Sequence, residues 1–470
     1  MRVRALLAAL AVAAATLVAI GAGGSAVAED VPDRLPPDVI VIMSDDQRVG
    51  TERAMTNVSA FFSAGGVRYE NTQVPTNLCC PARAAFLTGK YAHTTGVWEN
   101  SGPFGGYRAF APHEPDTLPR ALSQAGYRTG LYGKYMNHFN AVTDSTYIPP
   151  GWDEFHIPDD DWHDGGYFTP VRGLPAGYSP DTMGQGAADF VRTTPSDQPM
   201  FLMYSPFAPH HPYSAGPYQG TLSQQELLAH QRYGTFRNPA FNEKDVSDKA
   251  SWIQRARRLG PTALTNVVRG QAESLKAVDA NFQRIMDAQS AYRDPANTLV
   301  VYLSDNGYSW GEHRLLLKRH PYTLANEIPL WVKYPASTPA VGPVDDRLAN
   351  QLDVTETISQ VTGVPFATEG VSLIDGPRRS KMLLEAAPSR AGLQRSPAFC
   401  GFRTNRYLFV YYATQEAELY DLDRDPYELR NILSSRPGLA LRLSLAAETA
   451  GCDLDELRRM PTLPKDISGD

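Results

Sequence analysis

The chain has 470 residues, 42% hydrophobic and 20% charged, with 44 Lys and Arg against 51 Asp and Glu, a formal net charge of −7. This is ordinary globular composition, long enough for a large core and two or three domains. It lacks the basic surplus of a nucleic-acid binder, so an anionic ligand would have to be met by local positive charge rather than by the total.

The first residues read as a secretory signal: Arg2 and Arg4, an apolar run over 5–20, and Ala26-Val27-Ala28 as a cleavage site. The mature chain is expected to start at Glu29, after cleavage near Ala28, and to be secreted or periplasmic. No other stretch is long and apolar enough to span a bilayer, so no stable membrane anchor is expected. The run Val39-Ile40-Val41-Ile42-Met43 predicts a strand buried on both faces, as in a parallel sheet. It leads into Asp45-Asp46, at the carboxyl end of a strand, where open α/β sheets place their sites. Adjacent carboxylates repel unless something positive compensates them, so this pair is a candidate for a hard cation; a polar capping turn is the plainer alternative.

Cys79-Cys80-Pro81-Ala82-Arg83 follows. Pro81 suits a first helical turn, 82–87 is good helix material and Gly89 is a natural stop. Cys79 would then sit at a helix N-terminus, where free N–H groups and the dipole favour anions. A helix over 118–125 and a strand over 128–132 deliver Gly133-Lys134-Tyr135-Met136-Asn137-His138. Residues 144–180 read as an irregular loop, with Asp181 capping a helix through Phe190. A strand over 200–205 ends in Pro206-Phe207-Ala208-Pro209-His210-His211. The polar insertion over 214–262 is read as substrate-contacting. A long helix over 268–288 and a buried strand over 298–303 lead to Asp305-Asn306-Gly307. A strand over 328–334 and a helix over 354–362 follow. Past about 390, segments 406–412 and 418–422 alternate like antiparallel strands. The expected fold is α/β: a large central, mostly parallel sheet flanked by helices over 29–390, then a small C-terminal α+β subdomain over 391–470.

The Cys79-to-Arg83 pattern, continued by Leu87-Thr88-Gly89-Lys90, resembles the signature of the sulfatases, a formylglycine-dependent family with the alkaline-phosphatase-like fold. The resemblance implies that Cys79, not Cys80, is oxidised to formylglycine by a formylglycine-generating enzyme, and that the hydrated aldehyde is the nucleophile. It implies one divalent cation, usually Ca²⁺ and otherwise Mg²⁺, held by Asp45, Asp46, Asp305, Asn306 and the modified Cys79. An all-oxygen shell of this kind suits those ions and not zinc. It further implies that Lys134 and Lys318 grip the sulfate, that His210 protonates the leaving alcohol and that Arg83 holds the acids or the nucleophile. If Cys79 is consumed by modification, Cys400–Cys452 is the natural disulfide and Cys80 is left over, although the sequence does not fix the pairing. The chain departs from many sulfatases at Met136, where they have His two residues after the Lys, with Asn137 or His138 as substitutes. It departs again at Thr323, where they often have Glu. Cys-Cys-Pro and Gly133-Lys134-Tyr135-Met136-Asn137 make it most similar to the N-acetylglucosamine-6-sulfatases of glycosaminoglycan breakdown, implying a sulfated sugar as substrate. The competing readings are a phosphonate or phosphate monoester hydrolase and an inactive secreted glycan-binding protein.

Overall fold

The apolar run at 39–43 forms the strand on which the main sheet is built. A computed structural model describes residues 35–144, 146–158, 167–339, 341–388 and 396–460; the expected signal at 1–28 lies outside the described residues. Every residue of β1 (Asp38–Ser44) is buried. Successive strand side chains point to opposite faces. Val39, Val41 and Met43 accordingly join one apolar core, and Ile40 and Ile42 join another. Two covered faces are the reason the strand reads as an unbroken apolar run.

The strands that follow are β2 (Val67–Thr72), β3 (Arg128–Gly133), β4 (Glu154–His156), β5 (Met200–Ser205), β6 (Thr298–Ser304), the short pair β7 (Ser309–Trp310) and β8 (Leu316–Leu317), then β9 (Leu330–Lys333) and β10 (Val344–Ala349). Eight of them form one sheet in the order β10-β2-β9-β6-β1-β5-β3-β4. Only β9 runs antiparallel to its neighbours. The helices Cys79–Thr88 and Gln351–Thr362 pack on one face through Ala84, Phe86, Leu87, Val354 and Ile358. Helices Ser179–Thr193 and Pro261–Tyr292 cover the other through Met183, Ala187, Leu275, Val278 and Phe282. Each buried Leu, Ile, Val, Met or Phe among these contributes about 1.5–3 kcal/mol.

The register aligns the carboxyl ends of four neighbouring strands. Ser44 pairs with Ser304, Ile42 with Tyr204, and Gly133 with Ser205. Gly133 has φ 130°, and a Cβ there would lie 2.0 Å from the Ser205 carbonyl oxygen, so only glycine allows β3 to end this close to β5.

A second sheet is an antiparallel meander of β11 (Lys381–Ala386), β12 (Phe399–Thr404), β13 (Tyr407–Tyr412) and β14 (Ala417–Asp421). It begins at Lys381, ahead of the boundary read at 391, and it belongs with the main sheet to one compact unit from Pro36 onward. Tyr322 donates its hydroxyl to Glu418 at 2.9 Å, and the Thr323 N–H donates to Glu428 at 2.9 Å. A glutamate from the C-terminal segment thus meets Thr323, where the resemblance led Glu to be expected. Cys400 and Cys452 form a disulfide, with Cα atoms 6.0 Å apart, tying β12 to the segment after helix Pro437–Thr449.

Two local expectations change. The helix expected to start after Asp181 starts at Ser179 instead, because Pro180 fits a first turn; Asp181 lies inside that turn and accepts from Tyr218 Oη and Asn281 Nδ2. The insertion at 214–262 is not irregular throughout. Ser223 and Glu226 make a reciprocal cap for helix Gln224–Tyr233, and the next long helix starts at Pro261. Reduction of the disulfide, or Cys452→Ser, is expected to lower stability by about 2–4 kcal/mol in denaturant unfolding; unchanged stability would show that the bridge is not formed in solution.

Candidate active site

The loops leaving β1, β3, β5 and β6 bring the expected residues to one edge of the sheet. Asp45 and Asp46 follow β1, Asp305 and Asn306 follow β6, Lys134 follows β3, and His210 lies on the loop after β5. Backbone bonds fix the loops to one another: Asp305 N–H donates to the Ser44 carbonyl at 3.0 Å, Asp45 N–H to Ala208 at 3.2 Å and Lys134 N–H to Ser205 at 2.7 Å. Asp46 has φ 65°, a left-handed conformation that Asp tolerates better than most residues. Its N–H reaches Asp305 Oδ1 at 3.1 Å.

Cys79 is the first residue of helix Cys79–Thr88 and is fully buried. The helix has no cap from Leu78. Instead, Asn100 Oδ1 accepts from the Cys80 N–H at 2.9 Å. Cys79 Sγ lies 3.0 Å from Lys318 Nζ and 3.6 Å from Asp45 Oδ1. Cys80 Sγ points elsewhere and meets the Asn137 N–H at 3.3 Å. Gly89 ends the helix at φ 66°, its N–H bonded to the Ala85 carbonyl. Arg83, one turn into the helix, reaches Asp305 Oδ2 at 2.9 Å, the Lys134 carbonyl at 2.8 Å and Ser205 Oγ at 2.7 Å.

The lysines come from opposite sides. Lys134 Nζ is 2.5 Å from Asp45 Oδ2, and Lys318 Nζ is 2.6 Å from Asp46 Oδ1. Leu317 and Arg319, which flank Lys318, both have left-handed backbone, with φ 65° and 71°. For a residue like Leu317 that conformation is strained and must be held by its surroundings. The β7–β8 ladder, the Asn77 Nδ2 bond to the His320 carbonyl at 2.7 Å and the Arg319–Glu99 ion pair at 2.7 Å hold it. His210 Nδ1 donates to the His211 carbonyl at 2.7 Å, because a carbonyl can only accept. That leaves Nε2 facing Asp46 Oδ2 at 3.7 Å.

The electrostatics follow from crowding. Burial alone would raise the Asp45 carboxyl, but Lys134, then His210, Arg83 and Lys318, outweigh it and hold it far below the usual range. Asp305 goes the other way, pushed up to about 6 by burial and by the Asp45 charge. The Cys79 thiol is driven well above its ordinary value by burial and by Asp45. A thiol held neutral is a poor nucleophile, so unmodified Cys79 is not suited to attack an ester.

The donor set fits a hard divalent cation. One carboxylate oxygen each from Asp45, Asp46 and Asp305 lie within 4.8 Å of one another, all buried. Asp46 Oδ2 and Asn306 Oδ1 are buried acceptors with no hydrogen-bond partner, while Asn306 Nδ2 donates to Asp46 Oδ1 at 2.6 Å and so turns its oxygen free. Orphaned oxygens beside mutually repelling carboxylates are what a cation relieves, and no sulfur or nitrogen ligand is needed.

All of Asp45, Asp46, Cys79, Arg83, Lys134, His210, Asp305, Asn306 and Lys318 therefore gather at one place. Met136 does not join them: it is buried in the apolar core with Tyr107 and Tyr135. Asn137 turns its N–H to Cys80, and His138 precedes the short helix Phe139–Val142. Sequence reasoning missed Ser205, Asn100 and the Glu99–Arg319 pair. Ser205 could have been found as the last residue of a predicted strand beside Gly133; Asn100 lies in a loop with no spacing signal. It also missed the fully buried Arg48–Glu312 ion pair at 3.0 Å, which braces the loop after Asp46.

Fold and site together define an α/β protein with an oxygen-rich candidate cation locus at the carboxyl ends of a mixed sheet. A family model for sulfatases matches residues 37–364, and one for the C-terminal region of N-sulphoglucosamine sulphohydrolase matches 311–450. The chain belongs to the sulfatase family. Human N-acetylglucosamine-6-sulfatase is 27% identical over 362 residues, covering 72% of this chain and 64% of that protein. The N-acetylglucosamine-6-O-sulfatase of Bacteroides thetaiotaomicron is 24% identical over 483 residues, covering 84% and 82%. Against several relatives the chain spans less than two thirds of their length, from 30% for an extracellular sulfatase of Drosophila melanogaster to 64% for the human protein. A solved structure of a protein in complex with its substrate D-glucosamine-2-N,6-O-disulfate superposes with TM-score 0.69 at 21% identity, covering 90% of this chain and 98% of that one. Addition of CaCl₂ is expected to raise Tm, by an amount equivalent to about 2.7 kcal/mol at one hundred times Kd. Asp46→Ala should abolish the shift in differential scanning fluorimetry, and a variant that still responds like wild type would remove Asp46 from the cation site.

Proposed function

We propose that the protein hydrolyses sulfate monoesters of sugars, of the N-acetylglucosamine 6-sulfate kind, outside the cytoplasm after removal of a signal peptide. The observation that carries this reading is the position of Cys79: a buried side chain at a helix N-terminus, 3.0 Å from Lys318 Nζ and beside three acids. When present, formylglycine at position 79, made by a formylglycine-generating enzyme, supplies a hydroxyl nucleophile, and a Ca²⁺ or Mg²⁺ ion supplies positive charge against the sulfate oxygens. Asp45, Asp46, Asp305 and Asn306 would hold that ion.

The chain's own residues do the rest. Lys134 and Lys318 enter from opposite sides, so two ammonium groups can face the equatorial oxygens of a tetrahedral anion and stabilise charge as the ester bond breaks. Arg83 keeps Asp305 ionised and pins the β3 and β5 ends through the Lys134 carbonyl and Ser205. His210 is fixed by its Nδ1 bond, so Nε2 carries the mobile proton to the departing alkoxide. Buried walls exclude bulk water and strengthen each of these interactions.

Four measurements test this. Peptide mass spectrometry across residue 79 should find formylglycine in protein from its native host, and Cys79→Ser should lose multiple turnover on an aryl sulfate; full turnover by that variant would overturn the mechanism. His210→Ala should cost about 10²–10⁴-fold in kcat on an alkyl sulfate, whose leaving group needs a proton, and much less on a nitrophenyl sulfate. Equal losses on both would remove His210 from proton donation. A higher kcat/KM on aryl phosphate than on aryl sulfate would replace sulfate by phosphate as the substrate class.

A further inference from the structure

The insertion before helix Pro261–Tyr292 carries an open surface groove of about 460 Å³, lined by Leu228, Gln231, Arg232, Phe236, Arg237 and Thr265. None of these residues belongs to the acid cluster. Arg232 and Arg237 are both exposed, and neither makes an ion pair among the described residues. The Arg237 guanidinium is nevertheless held in place, stacked 5.2 Å over Phe236 and 5.9 Å over Phe241. Phe236 in turn packs edge-on against the fully buried Trp310 at 6.0 Å.

The turn that presents these groups is strained and anchored from behind. Thr235 and Arg237 have left-handed φ of 53° and 57°. Arg48, two residues beyond Asp46, grips the Gly234 carbonyl at 3.0 Å and Thr235 Oγ1 at 3.2 Å. A strained backbone that presents an unpaired, aromatic-stacked cation is over-determined by its surroundings, which is common where a ligand binds. The local charge agrees. In a chain of net charge −7, residues 228–269 carry eight Lys and Arg against three Asp and Glu. Arg269 is exposed one helical turn beyond Thr265, on the same helix face as that groove residue.

We propose that this groove is a second carbohydrate site, binding a sulfated sugar unit of a longer glycan apart from the ester being hydrolysed. The planar guanidinium groups match the oxygens of a sulfate. Leu228, 54% exposed, offers an apolar surface to the C–H face of a pyranose ring, and Gln231 offers hydrogen bonds to its hydroxyls. This combination of cations, an exposed apolar side chain and neutral polar groups suits a sulfated sugar better than a nucleic acid, whose bases would need an open aromatic face; the Phe236 face is covered by Arg237. The inference rests on the reading of a sulfated glycan as substrate.

The test separates the two. Binding of a heparin octasaccharide to the full-length Cys79→Ala protein is measured by calorimetry, so that the probe is not consumed. The same protein carrying Arg232→Ser and Arg237→Ser should bind at least about tenfold more weakly, the effect of losing roughly one charge-assisted hydrogen bond. The affinity of the parent should fall as salt rises. In the otherwise wild-type enzyme, the two arginine substitutions should leave kcat/KM on 4-methylumbelliferyl sulfate unchanged. If that small ester is not hydrolysed at all but the octasaccharide still binds through the two arginines, the groove stands and the catalytic reading falls. Undiminished octasaccharide binding by the double variant, no binding by the parent, or equally tight binding of an oligonucleotide of matched charge would overturn the proposal.

Discussion

Three carboxylates held within 4.8 Å of one another in the protein interior are the constraint to which the rest of the structure answers. Left alone, such a cluster would repel itself and lose its charge to protons. Four cationic or proton-carrying groups converge to prevent this: Lys134 and Lys318 directly, Arg83 from the helix and His210 from the β5 loop. They come from four separate stretches of chain. The compensation is incomplete, since Asp305 is still pushed upward by burial and by the Asp45 charge, and two oxygens remain without a donor. A site that retains unmet negative potential at its centre and positive groups around its rim is organised to take a cation inside and an anion outside it.

The sheet makes that convergence possible. Parallel strands present all their carboxyl ends at one edge, and the register of β6, β1, β5 and β3 sets four loop origins side by side. The close approach at Gly133 shows how tightly that edge is drawn together. Helix Cys79–Thr88 then lies against the face bearing Val39 and Val41, and its first residue projects into the cluster while Arg83 reaches across beneath it. One helix therefore delivers both Cys79 and the guanidinium that braces its neighbours.

Much of this was legible in the sequence, for physical reasons. A strand buried on both faces has to be apolar throughout, so β1, β5 and β6 stood out, and the acids directly after β1 and β6 could only be at a strand end. Cys79 and Arg83 were legible because Cys79-Cys80-Pro81-Ala82-Arg83 resembles the sulfatase signature, which implied a role for each. The less visible parts depend on tertiary contact. Asn100 caps the Cys80 N–H from a loop twenty residues on, which no local pattern encodes. Strands β2, β4 and β10 are short or half-exposed and lack a clear period. Asp181 looked like a cap because aspartate favours that position, but Pro180 set the start of the helix and freed its carboxylate for Tyr218 and Asn281. Edge strand β11 was hidden because its partners come later in the chain than the change of texture that marked the sheet.

The contacts of Tyr322 with Glu418 and of Thr323 with Glu428 also bear on how the protein is made. A chain leaves the ribosome from its N-terminus, so Cys79 emerges long before Asp305, Lys318 and the glutamates that brace the Lys318 loop. Until Lys318 has emerged, Cys79 Sγ lacks its nearest polar neighbour, and Tyr322 and Thr323 lack their acceptors until Glu418 and Glu428 follow. A nascent chain stopped before β14 would contain every named residue of the site but lack the two glutamates that accept from Tyr322 and Thr323.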